Sequence, residues 1–233
     1  MGPITLAIFD LDHTLISLDS SAAWWGFMQE LGWVSDPAAQ HRHAELMQQY
    51  DEGLLDMRDY LKLTLAPLKG RAVGDVERLA QQFVHQRLLH ALLPGARALI
   101  ERHRAAGHHL VLNSASEYFV VEPWGTFLGF DTVFGVPVQQ REGLYTGCPE
   151  VDITYREGKV LTVQRWLAQE GLAVADCYAY SDSHNDLPLL EFASHPCAVN
   201  PNELLRAEAE ARGWPVMSLT PTASAPESLV SHG

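Results

Sequence analysis

The sequence predicts an α/β fold, a parallel sheet with helices on both faces and a helical segment inserted after the first strand. Three observations carry this expectation. The apolar run Ile4-Thr5-Leu6-Ala7-Ile8-Phe9 ends directly in Asp10-Leu11-Asp12-His13-Thr14, as a buried strand with polar groups at its carboxyl end would. Residues 17–90 carry apolar positions at three-to-four spacing and no convincing strand. From Pro94-Gly95 onward, short apolar runs alternate with helical patterns, the mark of strand-helix-strand units.

Each element has a local reason. Asp19 or Ser20 can cap a helix carrying Trp24, Trp25, Phe27, Met28 and Leu31, which Gly32 stops. Asp36-Pro37 opens a second helix, because proline is well tolerated at the first helical position. Further helices are expected over 56–68 and 74–93. A helix then runs to Ala106 and stops at Gly107, and 108–113 is an apolar strand ending in Ser114-Ala115-Ser116. A helix over 117–128 follows, then a hairpin of 132–139 with 144–146, turning at Glu142-Gly143. A helix over 158–169 leads to a strand at 177–181, with short final strands at 198–199 and 215–219. The organisation expected is a core of residues 1–16 and 91–220, a cap of 17–90, and a flexible Ser-, Ala- and Pro-rich tail of 221–233.

Composition narrows the function classes. The chain of 233 residues is ample for a buried core, and its formal net charge of −13 disfavours nucleic acid, whose phosphates select basic faces. Cys148, Cys177 and Cys197 lack metal-type spacing and read as packing residues of a reducing compartment. No signal peptide and no bilayer-length apolar run is recognisable, and Leu6 stands where a myristoylation signal needs Ser or Thr, so the expected location is the cytoplasm with no membrane partner.

Four polar features fall at strand ends or helix starts that a parallel sheet brings to one edge. They are Asp10, Asp12 and Thr14; Ser114; Lys159; and Ser181-Asp182-Ser183-His184-Asn185-Asp186. Each has a plain structural reading: an Asp-rich turn, a helix cap, a solvated lysine, a polar turn. Their joint order is what raises them above these plain readings, because all four would meet at one edge of the sheet. His41 with His43, and His108 with His109, lack a third ligand at metal spacing and read as exposed. Trp24 and Trp25, at helical spacing with Phe27 and Met28, read as core before pocket wall.

With these motifs in order, the sequence resembles the haloacid dehalogenase-like phosphatase superfamily, in the branch that includes phosphoserine and histidinol-phosphate phosphatases. The resemblance covers nearly the whole chain. It implies a Rossmann-like core with a C1-type helical cap, and hydrolysis of the phosphate ester of a small metabolite through an aspartyl-phosphate on Asp10. Asp12 would protonate the leaving alcohol and then deprotonate water. Mg2+ would sit on Asp10, the Asp12 carbonyl and Asp182, with Asp186, Asn185 and Thr14 supporting those ligands. Lys159, the Ser114 hydroxyl and the amides of Leu11, Asp12 and Ala115 would hold the phosphoryl group.

Asp19, nine residues beyond Asp10, matches the acid that phosphoserine phosphatases turn to the substrate ammonium, and equally reads as a helix N-cap. Lys62 falls near the place of their carboxylate-gripping arginine, with Arg58 one turn earlier. Lysine lacks arginine's two-pronged geometry, which weakens the case for a carboxylate substrate. The resemblance therefore implies an amine-bearing phosphate ester, histidinol phosphate foremost. Phosphoserine or a broad range of esters is the alternative, ahead of phosphotransfer or binding without turnover. Glu117 departs from the family's second motif.

Overall fold

The computed structural model describes residues 2–220; the expected tail of 221–233 lies outside the described residues. Strand β1 (Ile4–Phe9) is followed by α1 (Ser20–Glu30), α2 (Pro37–Asp51), α3 (Met57–Leu65) with a 3₁₀ turn at Ala66–Leu68, and α4 (Val73–Phe83). The last of these continues as a π turn at Val84–Leu88 and a 3₁₀ turn at Leu89–Ala91, so the 74–93 helix is one α-helix with a distorted end. Then come α5 (Ala96–Ala105), β2 (His109–Glu117), α6 (Tyr118–Leu128), β3 (Thr132–Val136), β4 (Val138–Arg141), β5 (Leu144–Pro149) and α7 (Glu157–Glu170). The chain closes with β6 (Val174–Ser181), α8 (Leu187–Phe192), β7 (His195–Val199), α9 (Glu203–Arg212) and β8 (Val216–Met217).

Six strands form one parallel sheet in the order β3-β2-β1-β6-β7-β8. The chain leaves β1 toward β2 and β3 on one side and later resumes at β6 on the other, so the crevice at the carboxyl end of β1 is the switch point where such sheets bind ligands. Alternation along β1 divides the core between two faces. Ala7 and Phe9 pack with the helical insertion, α5 and α6, whereas Leu6 and Ile8 pack with α7, α8 and α9. The insertion and one sheet face thus share a single apolar core. Trp24 is its hub, 1 % exposed and ringed by Phe27, Trp33, Phe83 and Phe119 at centroid distances of 5.3–6.3 Å.

Several sequence expectations are corrected. The 132–139 run is divided at Pro137: its first half joins the main sheet as β3, parallel to β2, and only Val138–Arg141 pairs with Leu144–Pro149 in the hairpin. Proline has no N–H for a ladder bond, which ends one pairing and frees the chain for the next. Strand β2 runs on to Glu117, four residues beyond Asn113. His43 is buried, its ring stacked 4.7 Å from that of Trp25, and His108 Nδ1 lies 2.8 Å from His103 Nδ1, so neither is the exposed histidine expected. Cys148 is exposed and does not pack, unlike Cys177 and Cys197. Among the described residues no helix is long and apolar enough to cross a membrane.

Candidate active site

The loop after β1 is a tight coil. The Leu15 and Ile16 amides both donate to the Leu11 carbonyl, at 2.9 and 3.2 Å, and His13 takes φ +57° to make the turn. Asp10 therefore stands at the strand end, where its own amide still bonds the Tyr180 carbonyl of β6 at 3.0 Å. Asp12 is turned aside toward α1 and β2. Its carboxylate accepts from the Ser20 amide at 2.7 Å, the Ser116 hydroxyl at 2.7 Å and the Ser114 hydroxyl at 3.2 Å. Two carboxylates two residues apart thus have different surroundings, because the chain has stopped being a strand between them.

Lys159, 2 % exposed, comes from the first turn of α7 and reaches both Asp10 Oδ1 at 2.7 Å and Asp186 Oδ2 at 2.6 Å. Gly158 makes this seat possible: a Cβ there would stand 1.9 Å from the Ile153 carbonyl oxygen. Asp186 also accepts from the Ser181 hydroxyl at 2.7 Å. Thr14 Oγ1 donates to Asp182 Oδ1 at 3.1 Å and accepts from the Asp182 amide at 2.9 Å, tying the β1 loop to the β6 loop. Asn185 Oδ1 accepts from Tyr155 at 2.9 Å and from Arg156 at 3.1–3.2 Å.

Several of these groups border a cavity between the sheet edge and the insertion. Asp10, Asp12, Asp19, Asp182 and Asp186 line it; Met47, Tyr50, Leu55, Met57 and Tyr60 form its apolar wall. Asp19 is both things its position allows, since it caps α1 by accepting from the Ala22 amide at 2.7 Å and also faces the cavity. Trp24 and Trp25 lie in the core and do not line it. Lys62 is a correction: it is exposed on α3, whose Met57 and Tyr60 face the cavity, so helix phase turns Lys62 and Arg58 outward. Ser114 is fully buried and its hydroxyl is engaged by Asp12 and by the Ser116 amide at 3.0 Å, whereas Ser116, which sequence reasoning passed over, reaches the cavity. The strand period of two was the available signal for Ser116. Arg156 was also passed over, and nothing local marks it.

The electrostatics show a shortage of positive charge. Burial raises the Asp10 carboxyl to about 7 against the pull of Lys159, with Asp186 and Asp12 adding to the rise. Burial also raises Asp182, helped by Asp10 and Asp186, and raises Asp12, helped by Asp19. Asp19 is pushed up by burial to about 6. Glu117, 1 % exposed, is raised by burial as well, and its Oε2 has no hydrogen-bond partner among the described residues. Lys159 keeps its charge despite burial because Asp10 and Asp186 hold it.

A cation is the natural complement. Among the described residues no three His, Cys, Asp or Glu side chains form a metal cluster. The carboxylates of Asp10 and Asp182 both line the cavity, and oxygen donors of this kind fit a hard divalent ion that completes its shell with water or substrate oxygens.

The haloacid dehalogenase-like hydrolase family matches residues 7–191 of this chain. The chain belongs to that family. Among the relatives of this hydrolase, a histidinol-phosphatase of Neisseria meningitidis serogroup C is 34 % identical over 217 residues, covering 91 % of this chain and 98 % of its own. A crystal structure from Bordetella pertussis Tohama I, of a protein of unknown function, is 37 % identical with a TM-score of 0.85, covering 94 % of this chain and 100 % of that one. A phosphoserine phosphatase solved as a phospho-aspartyl intermediate analogue has a TM-score of 0.68 at 18 % identity, covering 94 % and 95 %, and shares the fold. The chain is a phosphatase of the haloacid dehalogenase-like family.

Proposed function

We propose that this phosphatase hydrolyses a small amine-bearing phosphate ester, histidinol phosphate foremost, with the phosphoryl group passing through Asp10. The observation that carries this reading is the lining of the cavity: among the described residues it has five carboxylates and no lysine or arginine. A substrate carboxylate would find no counter-charge there. An ammonium would find Asp19, and a flat imidazole would find the Tyr50, Met57 and Tyr60 wall. The likeness to a histidinol-phosphatase supports the same choice.

In this reading an Asp10 carboxylate oxygen attacks phosphorus, the new O–P bond forms, and the bond to the substrate oxygen breaks. Lys159 pulls the Asp10 pKa down against burial, which favours the ionised nucleophile, and neutralises charge beside it. Asp12, whose pKa burial raises, holds a proton for the leaving alkoxide and then takes one from the water that attacks the phosphorylated Asp10. The Ser114 and Ser116 hydroxyls orient Asp12 for both transfers. Bound to Asp10, Asp182 and the Asp12 carbonyl, Mg2+ would supply positive charge against the phosphoryl oxygens. Residues 17–90 serve as the cap that closes the substrate end.

Phosphate release from histidinol phosphate and phosphoserine, with Mg2+ or with chelator, tests the reading, using Asp10→Asn as the blank. Mg2+-dependent release from histidinol phosphate in excess of phosphoserine is expected. Preference for phosphoserine would refute the substrate assignment, and release undiminished in Asp10→Asn would refute the nucleophile.

A further inference from the structure

Arg156 joins the helical insertion to the site, and its backbone is strained to do so. It takes φ +50° and ψ −123°, a conformation that glycine favours and that costs other residues about 1–3 kcal/mol. Such strain persists where surroundings over-determine it. Here the guanidinium is committed in two directions: Nη2 donates to the Gly53 carbonyl at 2.7 Å, and Nε and Nη2 donate to Asn185 Oδ1 at 3.2 and 3.1 Å. Gly53 lies just past α2 on the insertion, whereas Asn185 lies on the β6 loop beside Asp186.

The Gly53 side of this contact is equally specific. Gly53 takes φ +72°, and a Cβ there would stand 2.4 Å from His184 Nε2. His184 is itself held at Nδ1 by Asn202 at 3.1 Å. The Gly53 backbone thus sits between Arg156 and His184, both of which belong to the sheet side of the molecule. From there a continuous polar path leads inward: Arg156 to Asn185, the adjacent Asp186 to Lys159 at 2.6 Å, and Lys159 to Asp10 at 2.7 Å.

We propose that Arg156 is a positioning residue that makes the geometry of the Asn185-Asp186 loop depend on the seating of the insertion at Gly53. This rests on the phosphatase reading for its activity readout and extends it. With the insertion seated, one planar guanidinium satisfies Gly53 and Asn185 together. With the insertion lifted, Arg156 loses its Gly53 partner and is fixed at one end only, so Asn185 keeps Tyr155 as its firm donor at 2.9 Å but loses the second, rigid one, which loosens the loop that holds Asp186 against Lys159. Arginine is required because a lysine ammonium lacks the planar fork that serves both acceptors.

The test combines kinetics with amide exchange on the full chain. Phosphate release with Mg2+ is measured against substrate concentration for wild type, Arg156→Lys, Arg156→Ala, Gly53→Ala and the Arg156→Ala/Gly53→Ala double variant, each checked for cooperative unfolding. Arg156→Ala should lower kcat by about 10–100-fold, the range for residues that orient a site's contacting groups, with KM changed by less than about threefold. Arg156→Lys should recover little of it. The double variant should be no slower than the worse single variant, because both break one contact. Hydrogen exchange at residues 50–56 should rise in Arg156→Ala. Multiplicative losses in the double variant, full rescue by lysine, or unchanged exchange at 50–56 would overturn the proposal. A wild-type protein that released phosphate from no ester would refute the phosphatase reading instead, and the exchange comparison would then decide the latch by itself.

Discussion

Replacing Lys159 with methionine keeps the side-chain length and removes the ammonium bonded to Asp10 and Asp186, 2.7 and 2.6 Å away in a 2 %-exposed position. At an effective dielectric of about 20, each of those contacts is a Coulomb attraction of roughly 6 kcal/mol before desolvation is subtracted. The net cost of taking one partner from a buried ion pair is about 3–5 kcal/mol, since the abandoned carboxylates stay buried. For a chain of this size that is a fall in Tm of roughly 6–20 °C. The loss has a pH signature. Asp10 titrates near 7 in the folded protein against 3.8 for the free side chain, so folding favours its protonated form. That contribution is fully present below pH 3.8 and is lost as pH rises through 7. Without Lys159, which lowers the Asp10 pKa, the loss on ionisation becomes larger. From this group the gap between wild type and variant should therefore stay level while Asp10 is protonated in both, and widen as pH rises through 7. Thermal unfolding by circular dichroism at pH 4.5, 6.0 and 7.5, with chelator throughout, measures it. A gap no wider at pH 7.5 than at pH 6.0 would refute the charge argument.

Three further outcomes are expected. Asp19→Asn keeps an α1 cap, since asparagine caps as well as aspartate, but removes the charge; kcat/KM for an amine-bearing ester should fall roughly 10–100-fold while an amine-free ester changes less than about twofold, and equal losses on both would count against an ammonium site. Glu117→Gln should raise Tm at pH 7.5 and not at pH 4, because burial raises the Glu117 pKa and its ionisation therefore opposes folding as pH rises; a lower Tm at pH 7.5 would mean that the carboxylate has a stabilising partner. Trp24→Ala should cost about 3–5 kcal/mol in denaturant unfolding, and a cost under about 1 kcal/mol would show that the aromatic ring around it collapses without it.

The first strand, the helix caps at Asp19 and Asp36 and the turn at Glu142-Gly143 were legible in the sequence because each depends on residues within a few positions of itself. The α/β class followed from the alternation of such local signals, and the order of the acidic and lysine motifs pointed to one sheet edge. Distant contacts were not legible. That Lys159 bridges Asp10 and Asp186 depends on three elements meeting across 149 residues of chain. That Lys62 points outward depends on the phase of α3 against its neighbours, and that β3 joins the sheet while β4 turns into the hairpin depends on which edge is free to pair. Arg156 is the clearest case. The sequence alone determined that a lysine and a cluster of carboxylates would share the end of β1, but only the tertiary structure, which brings Gly53 within 2.7 Å of a guanidinium 103 residues away, decided what holds the insertion over them. Hydrogen bonding of that kind is set by where folded elements come to rest, and no pattern in the residues around Arg156 encodes it.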